Sequence, residues 1–165
     1  MSGMAHSIDL VDLELPAESN IILAQAHFIK TAEDVYEALN GSMPGIRFGI
    51  AFNEASGPRL IRTEGSDEVL VSAAARNASM IGAGHLLVVL IAGAYPINVM
   101  QALKAVPEIT TVYCATANPA RAVVLREGEG AAIIGVMDGS SPAGLESDAD
   151  RQERRDFLRK IGYKK

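Results

Sequence analysis

Apolar and polar positions along this chain repeat with two periods, near two and near 3.6, and the switches between them mark its elements. Ser7 to Leu15 alternates, with Ile8, Leu10, Asp12 and Glu14 on one face and Val11, Leu13 and Leu15 on the other. This predicts a strand with one wet edge, stopped by Pro16. Asn20 to His27 predicts a second, more buried strand. Thr31 then opens a helix: it is placed to cap it, Glu33 and Asp34 suit the positive end of the dipole, and Asn40-Gly41 stops it. Ile46 to Phe52 alternates sharply, with Ile46, Phe48, Ile50 and Phe52 opposite Arg47, Gly49 and Ala51. The small residues at 49 and 51 permit close approach of another backbone or a flat ligand.

Arg59 to Glu64 predicts a short polar strand, followed by a helix capped by Ser66 and ended at Gly82. His85 to Ile91 predicts a central strand, Pro96 the first residue of a helix, and Ile109 to Ala115 another strand. Arg121–Glu127 and Ala131–Met137 predict a hairpin through Gly128-Glu129-Gly130. A polar loop leads to a terminal helix, Asp148 to Ile161, anchored only through Phe157, Leu158 and Ile161. Strands interleave with helices early and follow one another late, so the pattern predicts an α/β domain: one mixed β-sheet of about eight strands with four helices packed on it.

Hydrophobic residues make up 48% of the 165 against 21% charged, which excludes a disordered chain and fits a single domain over 1–165. Aromatics are 5% with no Trp, so the core is aliphatic, as in strands covered by helices on both faces. The net charge of −5 is unevenly spread: residues 1–147 carry 16 acidic and 8 basic side chains, residues 148–165 carry 4 and 7. An acidic body argues against nucleic acid as a partner, and the basic end reads as a solvated helix terminus. The single cysteine, Cys114, excludes an internal disulfide and a zinc framework; with no signal-peptide pattern, a cytoplasmic setting is expected. The longest apolar stretch, Leu86 to Ala94, is too short to cross a bilayer, so no membrane partner is expected.

Candidate chemistry gathers at strand ends, where ligands bind in α/β sheets. His27, Lys30 and Thr31 bring an imidazole, an ammonium and a hydroxyl to a helix N-terminus, a ready anion site. His85 follows Gly82-Ala83-Gly84, whose backbone amides would let a phosphate approach closely. Glu54 and Asp138 are candidates to hold Mg²⁺ or act as a base; Phe48, Phe52 and Tyr95 are candidate stacking faces; Asn98 and Asn118 add polar contacts at two further ends. The bland reading of each is a core residue, turn former or helix cap. Gly-x-x-x-x-Gly-Lys-Ser/Thr, Gly-x-Gly-x-x-Gly, the kinase signature set and the nucleophile elbow are all missing. His85 also begins its strand while Tyr95 and Asn98 lie beyond its end, about 20 Å away along seven residues. Only an irregular segment or a second subunit would join them in one pocket.

Several blocks resemble the adenosine-specific kinase family over nearly the full length, from about Ile8 to Lys165. They are Gln25 to Thr31, Pro44 to Gly57, Gly82-Ala83-Gly84-His85, Ala94 to Val99, Cys114 to Pro119, Gly135 to Gly139 and Phe157 to Tyr163, with Asn53 and Met137 as mild variants. The resemblance implies a three-layer α/β sandwich, a homo-oligomer with a trimer as one candidate form, binding of adenosine and AMP, and a phosphorylated histidine. It leaves the choice between His27 and His85 open; the anion site favours His27. The expected function is an adenosine phosphotransferase with ATP and Mg²⁺ as donor and cofactor. A nucleotide-binding sensor carrying a stable phosphohistidine, and an oligomeric scaffold, are the competing readings.

Overall fold

The computed structural model describes residues 6–165. Its strands are β1 (His6–Asp12), β2 (Ser19–Ala26), β3 (Arg47–Asn53), β4 (Ile61–Gly65), β5 (Leu86–Ala92), β6 (Ile109–Thr116), β7 (Ala120–Glu127) and β8 (Gly130–Asp138). Its helices are α1 (Thr31–Ser42), α2 (Glu68–Ile81), α3 (Pro96–Lys104) and α4 (Asp148–Lys160). The α/β class holds, but the pairing differs from the expected single mixed sheet. Two sheets form, β4-β3-β5-β2-β6 and β1-β7-β8, and every pairing between their strands is antiparallel. The reason is the connections. β2 and β3 lie on opposite sides of β5 and both run against it, so the α1 and α2 connections join strands without a parallel neighbour.

Period-two patterning divides the five-stranded sheet into two buried faces. Ile22, Ala24, Phe48, Ile50, Val89 and Ile91 pack under Val35 and Leu39 of α1 and Val99 and Leu103 of α3. Ile21, Leu23, Ala51, Val88 and Leu90 pack under Leu70, Ala74 and Ala78 of α2 and under Ala122 and Val124 of the small sheet. The result is three layers: two helices, the large sheet, and α2 with the small sheet. β5 is buried at all seven positions, as its unbroken apolar run requires.

Gly49 shows why a small residue is needed in β3. A Cβ there would stand 2.2 Å from the main chain of Leu70, so the backbone that approaches closely is that of α2. Two expected caps are corrected. Asp67, not Ser66, caps α2 by accepting from the Val69 and Leu70 amides (3.0 and 3.2 Å), while the Ser66 hydroxyl accepts from Phe48 N–H instead. Thr31 does not cap α1: its side chain is buried and its hydroxyl donates backwards to the His27 and Phe28 carbonyls (3.0 and 2.7 Å). α1 also runs through Gly41 to Ser42, because one glycine costs a helix only about 1 kcal/mol.

Candidate functional site

The antiparallel order brings the C-terminal ends of β2 and β3 to the same edge as the N-terminal ends of β5 and β6. Main-chain bonds lace this edge together. Ala26 N–H donates to the His85 carbonyl (3.0 Å), His27 N–H to the Glu108 carbonyl (3.0 Å), and His85 N–H to the Asn53 carbonyl (2.9 Å). His27 and His85, 58 positions apart in the chain, therefore stand just beyond adjoining ends of β2 and β5.

Their environments differ. His27 is exposed, and its Nδ1 lies 3.0 Å from the Glu108 carbonyl. A carbonyl only accepts, so Nδ1 carries the proton and Nε2 keeps its lone pair. His85 is half-buried and stacks on Phe52, with ring centroids 5.9 Å apart and planes 13° apart. Its backbone takes φ +59°, a left-handed conformation that costs a residue with a Cβ about 1–2 kcal/mol. Such outliers cluster at functional sites.

Lys30 closes the cluster from the turn before α1. Its ammonium pairs with Asp34 and with Glu108 Oε1 (2.7 Å). These two carboxylates hold the Lys30 ammonium well above its ordinary range, Asp34 first, and Lys30 in turn holds the Asp34 carboxyl low. Glu108 is a residue that sequence reasoning missed. It is buried, its Oε2 has no partner among the described residues, and its main chain orients His27 while its side chain anchors Lys30. Its only sequence signal is a lone acid between Pro107 and Ile109, at a strand entrance that carries no motif.

Asn53, Glu54, Gly82 and Gly84 help to line a cavity of about 430 Å³ that adjoins His85 through Gly84 and the Asn53 carbonyl but has neither histidine nor Lys30 in its lining; its size is within the range of about 300–1,000 Å³ usual for small-molecule sites. Asn53 donates to the Ala78 and Ala83 carbonyls, and its buried Oδ1 has no partner among the described residues. Glu54 accepts from Leu60 N–H (2.8 Å) and from Arg62 Nε and Nη2 (2.9 and 2.7 Å). The Leu60 amide and the Arg62 guanidinium hold its carboxyl below the ordinary 4.5, which weakens it as a base.

The remaining expected residues lie elsewhere. Phe48 is fully buried against Tyr36 and belongs to the core rather than to a stacking face. Phe52 is buried too, but reaches the site through His85. Tyr95, Asn98, Asn118 and Asp138 occupy the opposite edge of the sheet, about one strand length or 20 Å away. There Asn98 Oδ1 accepts from Tyr95 N–H and caps α3. Asp138 Oδ1 accepts from Thr116 and Asn118 (2.7 and 3.0 Å), tying β6 to the end of β8. Within one chain, Glu54 and Asp138 therefore cannot share a metal ion. No three His, Cys, Asp or Glu side chains converge as a ligand set among the described residues. Tyr95 lines a second cavity of about 490 Å³ with Ser19, Asn20 and Gly93. Burial lifts the Cys114 thiol to about 11, so it is no nucleophile at neutral pH. No helix among the described residues is long and apolar enough to cross a membrane.

A family model described as adenosine specific kinase matches residues 11–164. Five chains among solved structures match this one. They include the crystal structure of the PH1918 protein from Pyrococcus horikoshii OT3, which is 42% identical over 98% of this chain and 99% of that chain, with a TM-score of 0.94. No curated protein matches.

Proposed function

Since the chain belongs to the adenosine specific kinase family, we propose that it is a phosphotransferase that binds adenosine and AMP and carries phosphate on a histidine. The observation that supports this reading is the meeting of His27, His85 and Lys30 at one sheet edge, where His85 adjoins the cavity lined by Asn53 and Gly84. His27 is the first candidate carrier, because its ring is exposed and its Nδ1–H bond to the Glu108 carbonyl makes Nε2 the attacking nitrogen of the neutral ring. In the first step Nε2 attacks the γ-phosphorus of ATP. A P–N bond forms, the bond to the β,γ-bridging oxygen breaks, and ADP leaves with that oxygen. A ribose hydroxyl of adenosine then attacks the phosphorus, the P–N bond breaks, the hydroxyl proton passes to Nε2, and AMP leaves. Lys30, exchanging Asp34 for the transferring group, offsets its charge. Glu108 acts as a positioning residue for both His27 and Lys30. Mg²⁺ would arrive bound to the phosphates of ATP, as that ion commonly does. The enzyme works as a cytoplasmic homo-oligomer in this reading.

The engagement of Glu54 by Leu60 and Arg62 favours one second reading, a sensor that keeps its phosphohistidine, because no free carboxylate then serves as base to the ribose hydroxyl. Incubation with γ-labelled ATP, with and without adenosine, separates the two. Label appearing in AMP over many turnovers is the expected result, and one acid-labile equivalent held on the protein supports the sensor. His27→Asn is expected to abolish labelling; labelling unchanged in both His27→Asn and His85→Asn would end the histidine proposal.

A further inference from the structure

Two apolar surfaces lie uncovered among the described residues. The first is α4. None of its residues is buried, and among the described residues every hydrogen bond and ion pair of 146–165 stays inside that segment. Ser147 and Asp150 cap it, and acidic residues begin it while Arg159 and Lys160 end it. Thirteen residues remain marginal as a lone helix in water, however well capped. Yet α4 presents Phe157, Ile161 and, just beyond, Tyr163, each between 44% and 57% exposed.

The second surface is the outer face of β1-β7-β8. Register puts Ile8 beside Leu125 and Leu10 beside Val123, with Ile134 on the neighbouring strand. Ile8, Leu10 and Ile134 are 63%, 53% and 55% exposed, and Leu125 and Val123 only half-covered. A continuous apolar stripe on a sheet face marks a contact surface. The chain exposes 10,024 Å² in all, where a folded monomer of its mass exposes about 7,900 Å². The excess of about 2,000 Å² includes the surface of α4, which has no buried residue. Charge agrees: residues 148–165 carry 7 basic and 4 acidic groups against 8 and 16 in the body.

We propose that α4 docks on the outer face of the β1-β7-β8 sheet of a second copy of this chain. Phe157 and Ile161 enter the stripe of Ile8, Leu10 and Leu125, and basic residues of α4 face Glu127 at one end of it, Asp12 at the other end being paired with Arg121. This deepens the homo-oligomer element of the reading above and is independent of its chemistry. Sedimentation of the full chain, of Phe157→Asp/Ile161→Asp and of Ile8→Asp/Leu10→Asp tests it, alongside calorimetric titration with adenosine. The full chain is expected to sediment at two or more times 17.4 kDa, and each double variant at the monomer mass. An oligomer that persists at full mass in the α4 variant overturns the docking while leaving the oligomer reading intact. A monomeric full chain overturns both. Should the sheet variant misfold, the α4 variant decides alone, since neither of its residues is buried in the monomer. Loss of adenosine binding with assembly unchanged would instead count against the proposed function only.

Discussion

At the scale of single residues, the backbone of His85 is the most informative feature. A left-handed conformation at a residue carrying a Cβ is sustained only because Ala26 and Asn53 pin its carbonyl and amide from both sides. His85→Ala keeps that strain and loses the ring; His85→Gly loses both. Urea unfolding is therefore expected to show the glycine variant more stable than the alanine variant by about 1 kcal/mol. Equal stability would remove the argument that the position is strained. Glu54 gives a second residue-level expectation, in pH. Its folded carboxyl titrates below the ordinary 4.5, so the stability it contributes is complete above pH 4.5 and disappears as pH falls through the lowered value. Glu54→Gln forfeits that contribution at neutral pH and flattens the acid limb. Unfolding curves between about pH 3 and 6 read the difference, and an acid limb of unchanged slope would contradict it.

At the scale of elements, most of the fold was legible and the pairing was not. Alternation over Ile46–Phe52 marked β3 and assigned its faces correctly, and the glycines at 128 and 130 marked the β7–β8 hairpin. The starts of α3 at Pro96 and α4 at Asp148 match the sequence reading, while those of α1 and α2 differ by one residue, because Ser66, Asp67 and Thr31 are all plausible caps and only packing selects among them. Strand direction left no trace in local pattern. A run such as Leu86–Ile91 looks the same whether its neighbours run with or against it. That missing information is also why the candidate site was half visible. His27, Lys30 and His85 were singled out one by one, but their meeting depends on β2 and β5 being antiparallel neighbours. Strand length in the sequence already separates Tyr95 from His85, whereas the place of Asp138 depends on strand order, which local pattern does not carry. Glu108 was missed because its role rests on burial and on its main-chain carbonyl. The α2–β3 contact offers the sharpest test at this scale. Gly49→Ala places a methyl 2.2 Å from the Leu70 main chain, where no rotamer relieves it. The expected cost in denaturant unfolding is about 3 kcal/mol; a loss below the noise of the measurement would mean that α2 slides freely over the sheet.

At the scale of the whole molecule, the two ends of the chain behave differently. The body carries two packed cores, one on each face of β5. The last turnless stretch of sequence before α4, Ser140 to Ser147, leads to a helix with no such support. A helix sustained only by another molecule makes order a function of how crowded the solution is. Diluting the protein from about 100 µM to about 1 µM should lower its thermal midpoint and shed ellipticity at 222 nm, following mass action. A midpoint indifferent to dilution would show that the helix holds itself. In a cell, the same dependence would tie the shape of this protein to its own abundance: scarce copies would carry a loose, protease-sensitive tail, and plentiful ones would not.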